Sequence, residues 1–334
     1  MRLASICAAL LLAACGNDDG GDDGHDSSKY VQTFDGLPGA LISVSGTSDK
    51  DVWAVGGNPG DGSGAFVLHF DGAWARIPTG HQVDLWWVHA FESGPVFMGG
   101  SGGTILRYES GVFEKLPTPD TATVFGIWGL APDDLWAVGG DPAKSGKAFV
   151  WRFDGSAWAP AAGLPSVPIA AWFKVWGRAP DDVRFVGMDG AIVHYDGKGF
   201  QSITSPTNRR LLTLFAEPGG RYTAVGGMSQ AVILEDDGNA WQDVSPAPPN
   251  HAMIGIRTLG DDGYAAGTGG SVMRRKDGKW VDEPLGFDVF GDFHSVWIDP
   301  QGGVWFAGGN IMALPLVNGV LVHKGAKIPG GSYE

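Results

Sequence analysis

From residue 30 onward, apolar positions fall into short runs broken by turn-forming residues. The clearest stretch is IWGLAPDDLWAVGGDPAKSGKAFVWRFDGSAW at 127–158. Four apolar runs are separated there by three turn signals: Pro132-Asp133-Asp134, Gly139-Gly140 and Asp154-Gly155. An Asp-Gly between alternating apolar residues is a strong hairpin signal, because both residues tolerate the positive φ of a two-residue turn. Strands joined in order by tight turns pair with their neighbours, so the stretch predicts one antiparallel, four-stranded sheet. Such a sheet cannot bury both faces alone, and copies of it must stack.

The copies are present. WAVGG at 136–140 recurs in variant form at 53–57, 97–100, 185–187, 223–227, 264–267 and 305–309, which makes seven. The third strand and its turn recur as LHFDG (68–72), VWRFDG (150–155), VHYDG (193–197), LEDDG (234–238) and RRKDG (274–278). RYESG (107–111) and VHKG (322–325) are the variants, and Trp74, Phe113, Trp158, Phe200, Trp241 and Trp280 follow the turns. In the first strands, apolar residues alternate as Ile42/Val44, Trp86/Val88, Phe125/Ile127, Phe173/Val175, Leu212/Leu214 and Ile254/Ile256, with His294/Val296 including one polar member. The next position holds Trp128, Trp176, Phe215 and Trp297, but also Ser45, His89 and Arg257. The aromatics are expected to pack blade against blade, each burying ~150–250 Å².

Four-stranded repeats of roughly 40–45 residues are the signature of propeller blades. The expected fold is therefore all-β: a seven-bladed β-propeller of four-stranded antiparallel blades. The last repeat lacks a full fourth strand, whereas Tyr30-Val31-Gln32-Thr33-Phe34 precedes the first repeat and has the pattern of one. The N-terminal strand is expected to complete the last blade and so remove two open sheet edges.

The expected organisation is a leader at 1–14, an acidic linker at 15–29 and the propeller at 30–334. The leader has Arg2 and then an apolar run at 3–12, too short to span a bilayer. It ends Leu12-Ala13-Ala14-Cys15-Gly16. This resembles the bacterial lipobox, which implies lipidation at Cys15 and attachment to the membrane through that lipid. An aspartate directly after the cysteine would resemble an inner-membrane retention signal; Gly16 and Asn17 stand there instead, which implies the outer membrane, on either side of it. Cys7 leaves with the leader, so no disulfide is expected. NDDGGDDGHDSSK at 17–29 has five aspartates and little to bury, as expected for a solvated tether. Its carboxylates suit calcium, but the fixed turn and terminal glutamate of an EF-hand loop are missing.

The repeat pattern "VWG-PDDVWAVG-G-I-HYDG--W" resembles Asp-box (BNR) and photosystem II assembly-factor-like propeller repeats. It is also similar to repeats in predicted lipoproteins of myxobacteria. Asp-box repeats read S-x-D-x-G-x-x-W, and here the Asp-Gly and the aromatic remain without the serine. The resemblance implies the fold more than any shared activity.

The net charge of −14 argues against nucleic acid as a partner. Gly99–Gly103 fits G-x-S-x-G, but it falls at a tight turn between strands and not at a strand-to-helix elbow. The glycines at 60–64 precede no helix that could hold a phosphate. His69, His194 and His323 share one repeat position with Arg107, Arg152 and Arg274, which predicts a structural slot and not a metal site. The arginine trio and tyrosine of sialidases find no counterpart, and the tryptophan motifs of quinone-cofactor propellers differ. No cofactor is expected.

Loop lengths then distinguish the faces. Between second and third strands the expected loops are 58–64, 101–103, 141–147, 188–190, 228–230, 268–270 and 310–319. Blades one, three and seven therefore carry insertions on the face shared with the connectors between blades. Lys144, Lys147, Phe290, Asp292 and Met312 are the candidate partner-binding residues on it. The opposite face collects Asp49, Asp51, Asp133, Asp134, Asp181, Asp182, Asp261, Asp262 and Asp299 at short turns. The expected function is a lipid-anchored binding or scaffolding module for an envelope protein or an extracellular glycan. The alternative is a glycosidase- or lyase-type enzyme using the central mouth.

Overall fold

The computed structural model describes residues 26–334 apart from Ser93, Asp237, Asn239, Pro249, Pro329, Gly331 and Glu334. The leader, Cys15 and linker residues up to His25 lie outside the described residues. The chain forms seven antiparallel sheets of four strands each. The first strands are Leu41–Ser48, Leu85–Ala90, Thr123–Ala131, Trp172–Ala179, Leu211–Phe215, Met253–Leu259 and Asp292–Ile298. Each touches the first strands of the blades on either side, and the seventh touches the first, so they surround one axis. This is a closed, seven-bladed β-propeller.

The closure is the one expected from the sequence. Val31–Leu37 pairs with Val317–Lys324 as the outer strand of blade seven, in the register Val31↔His323, Gln32↔Val322, Phe34↔Leu321 and Leu37↔Gly319. The insertion in blade seven is shorter than the expected 310–319. Asn310 pairs with Val317, so the loop is 311–316, and Asn318 takes up a positive φ of 57° within the strand.

Every first strand carries a β-bulge near its start, at Ile42, Trp86, Phe125, Phe173, Leu212, Ile254 and His294. The repeated glycine of the second strand sits opposite the start of it. A Cβ on Gly56 would lie 1.8 Å from the Ala40 carbonyl oxygen, one on Gly139 1.9 Å from that of Thr123, and one on Gly226 2.0 Å from that of Arg210. Backbone takes the space of a side chain, so only glycine fits. The bulged residues form an apolar arc near the insertion face. Ile42 packs with Trp86, Trp86 lies edge-on to Phe125 at 5.4 Å, and Phe125 meets Phe173 at 5.3 Å.

The core lies between blades. Trp53, Val55 and Val67 of blade one pack on Leu85, Val88 and Met98 of blade two. Leu41, Val44 and Ala54 pack on Trp297, Trp305 and Leu321 of blade seven. Trp128 is 3% exposed and packs on blade four, so the column of aromatics does join blade to blade.

Candidate functional site: the two ends of the axis

Strand direction gives the molecule two chemically different ends. One carries the connectors and the loops between second and third strands. Phe290, Met312 and Leu314 stand there 84%, 88% and 90% exposed. They leave the ends of two paired strands, since Asp292 pairs with Gly309. Three large apolar side chains thus rise from neighbouring loops of a single blade. Of the other candidates, Asp292 accepts a hydrogen bond from the Gly269 backbone N–H at 2.9 Å, which ties the blade-six turn to blade seven. Lys144 lies 3.0 Å from Asp141 and Lys147 3.7 Å from Asp120, and both lysines stay exposed enough for those pairs to be weak. Blade three is also three places from blade seven around the ring. Sequence position alone grouped five residues; of these, Phe290 and Met312 follow from the ends of two paired strands, and Leu314 is exposed on the same loop as Met312.

The other end carries the short turns between first and second strands. Much of its acidity is spent inside blades. Asp51 accepts from Trp53 Nε1 at 3.0 Å, and Asp299 accepts from Trp305 Nε1 at 3.0 Å and from the backbone of Gln301 and Gly303. Asp134 pairs with Arg152 and Asp262 with Arg274. In each case the basic residue belongs to the repeated third-strand position, which is therefore a structural slot. It holds His69 and His323 as well.

At the centre of this end the ends of the first strands enclose a cavity of about 340 Å³. Trp176, Phe215 and Trp297 form its apolar walls, and His89 and Arg257 also line it. Trp176 Nε1 donates to the Ala216 carbonyl at 2.9 Å, and His89 Nε2 bonds the Gly129 carbonyl at 3.1 Å, so both rings are locked to the following blade. Burial pulls the His89 imidazole down to about 4, with the bond to Gly129 opposing and the charge of Arg257 assisting. Below the cavity Lys174 donates to the Phe125 carbonyl at 3.1 Å, its ammonium 3.4 Å from the centre of the Trp87 ring. Two carboxylates stand at the rim, Glu217 and Asp299. Asp299 has both oxygens committed to its own turn and to Trp305.

Sequence reasoning placed Arg257 and His89 in the right column without giving them a role, and it passed over Lys174. The available signal was a cation in a column otherwise aromatic or small.

No family model matches the chain, and no curated protein does. Solved structures do. It is similar to the WD40 β-propeller domain of Doa1, with 13% identity over 91% of this chain and 100% of that one, at a TM-score of 0.66. It is similar to YCF48 bound to D1 peptide, with 14% identity over 91% and 98%, at 0.64. It is also similar to virginiamycin B lyase from Staphylococcus aureus, with 15% identity over 88% and 98%, at 0.68. Likeness at these identities shows the fold. A peptide complex and a lyase stand side by side among these structures, so function has to be argued from the sites.

Proposed function

We propose that this protein is a lipid-anchored propeller of the cell envelope that binds a protein partner through the end carrying Phe290, Met312 and Leu314. The observation that carries the reading is their 84–90% exposure on two neighbouring loops of one blade. Single exposed apolar residues are ordinary, but three large ones together mark an interaction site. Their chemistry favours protein over glycan. Met and Leu side chains adapt to an apolar partner surface, whereas a sugar face needs planar rings with polar groups around them.

The enzyme alternative is less well supported. Glycoside hydrolysis of the common kind needs two carboxyl groups facing one bond. At the central mouth Asp299 is taken up by its turn, which leaves Glu217 without a second carboxylate among the described lining residues.

Attachment through Cys15 in the outer membrane fits this geometry. Val31 pairs with His323 at the end of a third strand, so the chain enters the propeller from the acidic end. A tether there leaves the apolar end facing away from the lipid surface. The test is a photo-crosslinking residue at Phe290, compared with one at Val112, which is 65% exposed at the other end. In envelopes of the native organism, a protein crosslinked from 290 and not from 112 is expected. It should be lost when Met312 and Leu314 are changed to serine. Equal yields from both positions, or capture of glycan alone, would sink the reading.

A further inference from the structure

Arg257 is a buried cation that no carboxylate answers among the described residues. Its residue is 5% exposed, and its guanidinium lies 4.6 Å from the ring centres of both Trp176 and Phe215. Among the described residues its hydrogen bond runs from Nη1 to the carbonyl of the adjacent Ile256, at 3.2 Å. A guanidinium has five N–H donors, and among the described residues no carboxylate lies within ion-pairing distance of it. The other buried arginine, Arg275, shows the contrast: it meets Glu235 at 2.8 Å. Burying a cation without a paired carboxylate carries a desolvation cost. Burial accordingly lowers the Arg257 guanidinium to about 9. The faces of Trp176 and Phe215 offset part of that cost, whereas the nearby His89 and Lys174 are basic as well.

This arginine lines the 340 Å³ cavity at the acidic end, together with Trp176, Phe215 and Trp297. We propose that the cavity binds a small ligand group combining one carboxylate with a flat apolar body, the carboxylate on Arg257 and the body between the aromatic walls. A volume near the lower limit for ligand pockets suits a single ring system. Glu217 and Asp299 at the rim disfavour a polyanion, so a monoanion is selected. The same chemistry is offered by a free aromatic acid and by the C-terminal residue of a peptide. The site is at the opposite end from the proposed docking surface and stands or falls independently of it.

The test uses the full chain and titration calorimetry. Four probes separate the terms: indole-3-acetate, its neutral amide, a peptide ending in tryptophan with a free carboxylate, and the same peptide amidated. Both acids are expected to bind at least about tenfold tighter than their amides, as for a charge-assisted contact. Tighter binding of the peptide acid than of indole-3-acetate identifies a chain terminus as the source. Arg257→Met should abolish the preference for acid without lowering the melting temperature, because an unpaired buried charge is replaced by an apolar chain. The proposal is overturned if acids and amides bind alike, if Arg257→Met leaves the preference intact, or if no probe binds at about 10 mM. The acid–amide comparison on the unaltered protein decides the matter even where the variant folds poorly.

Discussion

Trp53 and His69 face each other across the second and third strands of blade one, with their rings stacked at 3.8 Å and 16°. Asp51, two residues before the tryptophan, accepts from Trp53 Nε1 at 3.0 Å and lies 2.8 Å from His69 Nε2. One carboxylate thus fixes both rings. The arrangement returns in blade three with Arg152 stacked 4.1 Å from the Trp136 ring centre and paired with Asp134. In blade seven Asp299 stands at the start of the corresponding turn and still reaches Trp305.

Asp51→Ala removes an acceptor from two ring N–H groups that are only partly open to water. A loss of ~1–3 kcal/mol is expected from the urea midpoint. Asp133→Ala, on the exposed turn of blade three, should change stability by less than about 0.5 kcal/mol. Similar losses at both would mean that the turns, and not the paired rings, set the cost.

The strands, their order and the closing strand were legible because turn chemistry and alternation are local, and the repeat averages out exceptions. The repeated second-strand glycine was legible as a motif, but not its reason. That lies in a neighbouring strand whose bulge pushes a carbonyl into the space. The candidate partner residues separate only in the folded ring. Insertion length pointed to Met312, but ring geometry separates Lys144 and Lys147 from it, and Asp292 is consumed by Gly269. Arg257 could be seen as an oddity in its column. That it lacks a carboxylate became visible only when the ring brought blades two, four and six to one axis.

Gly226→Ala tests the explanation of that motif. The new Cβ would stand 2.0 Å from the Arg210 carbonyl oxygen, and backbone on both sides has nowhere to go. A loss of at least ~1–3 kcal/mol is expected. Gly199→Ala is the matched control, with no atom within 4 Å of its added Cβ and no positive φ. If both glycines tolerate alanine equally, the close approach is not what selects glycine.

Acid should weaken the fold in two stages. His294 is 6% exposed and bonded to the Gly309 carbonyl at 3.1 Å; burial lowers its imidazole against that bond. Burial holds His89 near 4. An unfolded histidine takes up its proton near 6.5, so between about 6.5 and 4 the unfolded chain binds more protons and stability falls as pH falls. Below about 4 the loss extends to carboxylates whose folded values are depressed. At Asp51 burial works to raise the value, but the bonds from His69 and Thr47 outweigh it. The check is melting temperature from pH 7 to 3. Replacing both His89 and His294 with glutamine should flatten the first stage and leave the second. An unchanged slope above pH 4.5 in that variant would refute the assignment.

If the proposed anchoring through Cys15 holds, Cys15→Ser should release the protein from the membrane fraction, since Cys7, the other cysteine in the sequence, lies in the expected leader. Stable attachment needs more than one acyl chain, at ~0.8 kcal/mol per buried CH₂. A variant that stays with membranes through a salt wash is held there by something else.

The closing strand gives the sharpest test of the architecture. Phe34, 4% exposed, lies edge-on to Trp74 of blade one at 5.4 Å and to Tyr333 at 5.9 Å. Tyr30 packs edge-on to Phe306 and donates to Glu283 of blade six at 3.1 Å. The strand therefore ties blade seven to both neighbours, and its removal also bares the edge of Val317–Lys324. Phe34→Ala should cost ~3–5 kcal/mol, as for other buried phenylalanines. Deleting residues 26–37 should go further and cause aggregation through the open edge. A peptide of residues 30–37 supplied in trans should then add as a strand, suppress aggregation and raise the melting temperature. The same peptide with Phe34→Ser should do neither, because backbone pairing alone does not fill the space against Trp74. A deletion that melts like the intact protein, or rescue by both peptides alike, would mean that the ring is not held shut by this strand and its phenylalanine.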